Sequence, residues 1–175
     1  SLTNSTVSNN TAMGFEALKA ATIGFSNTAM GSSSLTANVG GSYNSAFGFD
    51  ALLGNVSGDN NTAMGRDSLA TLSSGSNNVS IGSNALNAST ASNNTAVGTN
   101  ALLVNTTGIN VAIGYNSLPT LTIGVANTAM GWNSGNALTT GNTNTLLGEE
   151  AGLDITTGNN NVCISGAGSG SGITT

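Results

Sequence analysis

An asparagine-led pentapeptide recurs along the chain at nearly constant spacing, and this recurrence limits the possible folds more than any other feature. The anchors are Asn10, Asn27, Asn44, Asn61, Asn78, Asn94, Asn110, Asn127, Asn144 and Asn161, separated by 17, 17, 17, 17, 16, 16, 17, 17 and 17 residues. The block reads NTAMG at Asn10, Asn27, Asn61 and Asn127, and NSAFG, NVSIG, NTAVG, NVAIG, NTLLG and NVCIS elsewhere. A fixed period of this kind marks an array of stacked units rather than a single irregular domain.

The columns of the array indicate the unit. The fourth block position is always apolar: Met13, Met30, Phe47, Met64, Ile81, Val97, Ile113, Met130, Leu147 and Ile164. The third is small from Ala12 to Ala129 and then becomes Leu146 and Cys163. Leucine follows four residues after the block glycine, from Leu18 to Leu118, and is then replaced by Gly135 and Gly152. A second glycine closes most repeats.

Two glycines per period would weaken a helix, and helical repeats need about thirty or more residues for a helix pair. A short strand, a glycine turn, a second short stretch ending near leucine and a Gly/Ser/Thr turn suit one flat coil of β-structure. The period therefore predicts an all-β parallel β-roll or β-solenoid of about ten 16–17-residue coils. The array spans residues 1–165, with a Gly/Ser-rich tail or linker at 166–175. At ~4.8 Å per step, nine steps give an axis of roughly 43 Å.

Strand alternation puts the third and fourth block positions on opposite faces. The larger side chains are expected inside, so the Met/Ile column should be buried and the alanine column should meet a neighbouring chain. A thin coil suggests the need for such a partner, because ordering the backbone costs ~1–2 kcal/mol per residue. The asparagine column is expected to form a ladder, since an amide carries both donors and acceptors. Aspartate there would stack like charges.

At this point the blocks resemble a known family. NVAIGYNSL at 110–118 and NVSIGSNAL at 78–86 are similar to the N-S-V-A-I-G-x-x-A repeat of YadA-like heads in trimeric autotransporter adhesins. The NTAMG variant with a T-T-G turn is similar to repeats of phage tail fibres and bacterial surface fibres. The resemblance covers nearly all of residues 8–165, although the period here is a few residues longer than in the adhesin heads. It implies a left-handed roll assembled as a homotrimer, with an extracellular, cell-surface or virion location.

Candidate chemistry is sparse. The chain has no histidine, the commonest general base and a common metal ligand. Cys163 occupies the small third position and reads as a packed thiol. The glycines belong to the repeat turns rather than to a phosphate cradle. These features predict no catalytic residues, no cofactor and no metal site. Glu16, Asp50, Asp67 and Glu150 share a column with Asn84, Asn100, Asn116 and Asn133, so they read as turn formers before they read as a cation array. A net charge of −5, with only Lys19 and Arg66 positive, argues against a nucleic-acid partner. No apolar run is long enough to suggest membrane insertion.

One column earlier stand Phe15, Phe49, Tyr115 and Trp132, the candidate contacts for a host-surface or glycan receptor. The functional expectation is a trimeric fibre segment that spaces and presents a binding tip. Two alternatives are a roll that is itself the adhesin and an ice-binding solenoid built on the Thr11, Thr28, Thr62, Thr95, Thr128 and Thr145 column. The start at Ser1 and the decay of the repeat after Ser165 suggest a segment of a longer chain.

Overall fold

The computed structural model describes residues 9–164. Ten three-residue strands, β1 (Thr11–Met13), β2 (Thr28–Met30), β3 (Ser45–Phe47), β4 (Thr62–Met64), β5 (Val79–Ile81), β6 (Thr95–Val97), β7 (Val111–Ile113), β8 (Thr128–Met130), β9 (Thr145–Leu147) and β10 (Val162–Ile164), form a single sheet in chain order. Every pairing is parallel and column on column, as in Ala29↔Ala46 and Met30↔Phe47. Each step between neighbours is one turn of a β-solenoid. Below, coil one begins at Asn10 and residues are also counted from the leading asparagine. The 166–175 tail lies outside the described residues.

Only the leading block of each coil is a strand; the remainder is a succession of turns. The seventh residue of each coil is left-handed, with φ between 51° and 59° from Glu16 to Glu150. The ninth is left-handed too: Leu18, Leu35, Leu52, Leu69, Leu86, Leu102 and Leu118 have φ of 47–52°. For leucine this is an uncommon conformation, costing ~1–2 kcal/mol in isolation. It is held by the next coil: Leu35 N–H donates to Ala51 O at 3.0 Å and Leu52 N–H to Ser68 O at 3.0 Å. The same requirement explains why glycine can replace leucine at Gly135 and Gly152, where φ is 62° and 67°.

The alternation along each strand holds, but inside and outside are reversed from the sequence expectation. Ala29, Ala46, Ala63, Ser80, Ala96, Ala112, Ala129 and Leu146 are fully buried within their own coils. No member of the Met/Ile column is buried, and Met13, Met64, Ile81, Met130 and Ile164 are exposed. The reason is space. The first seven coils already hold the buried leucine column, together with small residues such as Ala51 and Ser68. Where the ninth position is leucine, the opposing strand can add only a methyl or hydroxymethyl group; Leu146 enters where Gly135 and Gly152 replace it. The alanine column therefore belongs to the chain's own core and is not available to a neighbouring chain.

Candidate interaction surface and the ladders beneath it

The asparagine column ties successive coils together through the backbone. The Oδ1 atom of each anchor accepts the N–H of the next: Asn27 N–H to Asn10 at 2.8 Å, Asn44 N–H to Asn27 at 2.9 Å and Asn61 N–H to Asn44 at 2.9 Å. The pattern continues through the two short coils to Asn161. Nδ2 donates to the carbonyl at the far end of the same coil, as in Asn44 to Gly58 at 2.7 Å and Asn127 to Gly141 at 2.8 Å. One side chain thus closes its own coil and caps the next.

From Asn61 onward, amide-to-amide bonds are added at every step but that from Asn94 to Asn110, such as Asn144 Nδ2 to Asn127 Oδ1 at 3.0 Å. Aspartate could accept the backbone bond but, ionised, could not supply the Nδ2 donation. The requirement at this column is for an amide, beyond the avoidance of stacked charge.

A second ladder runs in the opposite direction and was missed by the sequence reading. At the sixteenth residue, the backbone N–H donates to a side-chain oxygen of the following coil. Phe25 N–H reaches Ser42 Oγ, Ser42 N–H reaches Asp59 Oδ1, Asp59 N–H reaches Ser76 Oγ, and Ser76 N–H reaches Ser92 Oγ. It resumes with Val125 N–H to Asn142 Oδ1 and Asn142 N–H to Asn159 Oδ1. Ser, Asp and Asn all supply an acceptor oxygen, so the column varies in identity while keeping one physical property. That property was the available signal.

The acidic column behaves as turn geometry. Glu16, Asp50, Asp67 and Glu150 occupy the left-handed seventh position alongside Ser33 and four asparagines. Glu16 pairs with Lys19 at 2.7 Å, and Asp67 lies 3.4 Å from Arg66. Among the described residues, no group of three or more His, Cys, Asp or Glu side chains is placed to hold a metal ion. Cys163 is buried in the inward column. No helix among the described residues is long and apolar enough to cross a membrane.

The candidate aromatics lie in the turn after each strand. Phe15 is 74% exposed and Phe49, Tyr115 and Trp132 about half exposed. Tyr115 and Trp132 occupy neighbouring coils, whereas Phe15 and Phe49 have Ser32 between them in the column. Among the described residues, the ring pair in contact is elsewhere: Phe25 and Tyr43 meet edge to face, with centroids 5.0 Å apart. Sequence reading passed over this pair because it belongs to the variable coil end.

No known family model, curated protein or solved structure matches the chain.

The outer sheet face combines two columns. Thr28, Thr62, Thr95, Thr128 and Thr145 are half-buried, and among the described residues their hydroxyls make no hydrogen bond within the chain. Beside them runs the Met/Phe/Ile/Val/Leu column, continuous from Met13 to Ile164. At ~4.8 Å per step the column runs ~43 Å along the roll, and a long contiguous apolar face of this kind marks an interaction surface. It provides broad apolar contact with an intermittent row of hydroxyls, and no reacting group.

Proposed function

We propose that this chain is a structural segment of an extracellular or virion-associated homotrimeric fibre, in which the roll spaces and presents a binding tip. The continuous outward column from Met13 to Ile164 is the observation that carries this reading. A coil with a complete leucine–alanine interior does not need that column for its own core. Burial between copies would stabilise an assembly by ~25 cal/mol per Å² of apolar surface removed from water. The likeness to YadA-like heads and tail-fibre repeats supports the trimer, left-handed winding and location outside the cell.

In this arrangement the Met/Ile face meets its neighbours, replacing the alanine column as the contact surface. Sedimentation equilibrium tests the reading directly. The expected species has three times the chain mass, and Met64→Glu with Ile81→Glu should yield a folded monomer. A wild-type monomer with unchanged secondary structure at high micromolar concentration overturns it.

A second reading is favoured by the exposure of Phe15, Phe49, Tyr115 and Trp132. In it, the roll itself binds a host-surface or glycan receptor through these rings. Replacing all four with serine should abolish cell or glycan-array binding while leaving the sedimentation profile unchanged. The ice-binding reading rests on the outward threonine column and is tested by thermal hysteresis. Val79, Val111 and Val162 interrupt that column.

A further inference from the structure

The two sixteen-residue coils are adjacent, and the structure differs there in a consistent way. At the corner leading into each strand, two bonds ordinarily join neighbouring coils. One is the sixteenth-residue side-chain ladder. The other is the N–H of the residue before the anchor donating to the previous coil, as in Asn60 to Ser42 O, Asn77 to Asp59 O, Asn93 to Ser76 O, Thr143 to Val125 O and Asn160 to Asn142 O.

Among the described residues, both bonds are missing where coil six meets coils five and seven. Ile109 N–H and Ala126 N–H have no such partner. Gly108 offers no side chain to continue the second ladder. The anchor amide is also displaced: Asn94 Nδ2 reaches Ser92 O at 3.3 Å and Asn78 Oδ1 at 3.4 Å, instead of a carbonyl at the far end of its own coil.

Other signs converge on the same place. Asn105 is fully buried with its Oδ1 unpaired, and its Nδ2 makes only a 3.5 Å bond to Leu121 O. The equivalent Asn55 accepts from Gly58 N–H at 3.1 Å and donates to Asn38 Oδ1 at 2.9 Å. Ile109, β-branched and 66% exposed, is held at φ 65°.

The strand and the turn after it hold at both junctions, although among the described residues Val104 N–H lacks the bond to coil seven that Ala88 N–H makes to Leu103 O in coil six. β5, β6 and β7 pair over all three residues. The turn after the strand remains bonded through Asn100 N–H to Ser83 O and Asn116 N–H to Thr99 O. The leucine positions remain bonded through Leu86 N–H to Ala101 O and Leu102 N–H to Ser117 O.

We infer that coil six is a hinge. The strand column and the turn after it stay closed, while the corner at residues 108–109 and 125–126, held from coil six to coil seven by the Thr107 hydroxyl donating to Gly124 O at 2.8 Å, opens and lets the two halves of the roll bend. Local opening is expected where few backbone bonds hold a segment while its neighbours remain cooperative. The inference rests on this chain's own hydrogen bonds and stands whether the fibre proposal holds or not.

Site-resolved amide exchange tests the opening. Ile109 and Ala126 should exchange at least ~10-fold faster than Asn77 and Thr143, with the amides of Val79, Thr95 and Val111 remaining slow. Inserting serine between Gly108 and Ile109 restores a seventeen-residue coil and an acceptor at the sixteenth position, and should slow the Ile109 amide. Bending is read from spin-label distances in a Cys163→Ser background. Labels at Ser57 and Thr157 should give a broader distribution than labels at Ser32 and Glu149, and the insertion should narrow it. Equal protection at Ile109 and Asn77 overturns the inference even if the insertion variant fails to fold. So does fast exchange extending through β6, which would mean unfolding of a whole coil, or equally narrow distance distributions.

Discussion

A side chain on Gly135 would place its Cβ 2.7 Å from Cδ1 of Leu146, a residue in the next coil. Gly152, in the same coil as Leu146, would bring its Cβ equally close to Cδ2 of that residue, at 2.7 Å. In earlier coils the ninth position carries leucine and the strand presents alanine. Here two leucines give way to glycine on one wall and a single leucine, Leu146, replaces alanine on the other, refilling part of the lost volume. Leu146 occupies space that two missing leucines would otherwise fill.

This exchange predicts strong coupling. Leu146→Ala should cost ~2–5 kcal/mol, because no leucine at residue 135 or 152 can close the cavity. Gly135→Leu alone should destabilise by overpacking, by ~1–3 kcal/mol. The double variant should recover part of the loss, with an interaction energy of ~0.5–3 kcal/mol in a urea-denaturation cycle. Additive losses would show that the two sites do not share one space.

At Asn44 the amide is expected to be indispensable. Asn44→Asp keeps the size and the Oδ1 acceptor for Asn61 N–H but removes the donor to Gly58 O. Gly58 O keeps the donation from Asn55 Nδ2 at 3.0 Å, so losing one hydrogen bond should cost ~0.5–1.5 kcal/mol, and more while the introduced buried carboxyl is ionised. Burial raises a carboxyl's pKa above its unfolded value. The variant should therefore regain stability relative to wild type as pH falls through the folded-state pKa. Thermal melts at pH 4 and pH 7 check both the sign and the size.

The block glycine at residue 48 should tolerate no side chain. Its φ is 137°, and a Cβ there would lie 2.5 Å from the carbonyl oxygen of Gly65 in the next coil. Gly48→Ala combines backbone strain with a backbone clash, so a loss above ~1 kcal/mol is expected from circular-dichroism melts. Gly40, where an added Cβ would meet only the Ile23 side chain at 3.4 Å, is the matched control and should change little.

Ala63→Phe distinguishes the two walls of the strand. Ala63 is fully buried in its own coil, so the large ring should unfold the chain rather than merely dissociate an assembly. Met64→Ser should leave the fold intact, because Met64 is outward and exposed. Near-ultraviolet and far-ultraviolet circular dichroism on the two variants separates these outcomes.

The period, the parallel stacking and the buried leucine column were legible because each depends on a residue repeated in register. The facing of the strand was not. Met13 and Ala12 alternate under either assignment, and hydropathy favours burying the methionine. Size decides the matter, through the joint appearance of Leu146 with Gly135 and Gly152. Those substitutions are visible in the sequence but become informative only once they are known to meet across the interior. The second ladder was hidden for a different reason: Ser42, Asp59, Ser76 and Asn142 share an acceptor oxygen but no common name. At the surface, the exposed aromatics could be located in turns, whereas the Phe25–Tyr43 contact depends on the three-dimensional stacking of two variable positions.

The uniform column-on-column step has a consequence for how such a chain can change over time. Because each coil presents the same strand and the same anchor amide above and below, a whole coil can be duplicated or excised by unequal recombination without creating a new kind of junction. Each such event would alter the axial reach by one increment of ~4.8 Å. A single-residue deletion within Thr62–Met64 would instead turn Ala63 outward or Met64 inward. Heritable variation in length is therefore expected to come in multiples of the repeat, with odd residues lost only at the corners, as the two sixteen-residue coils illustrate. The gene would work as a graduated rule.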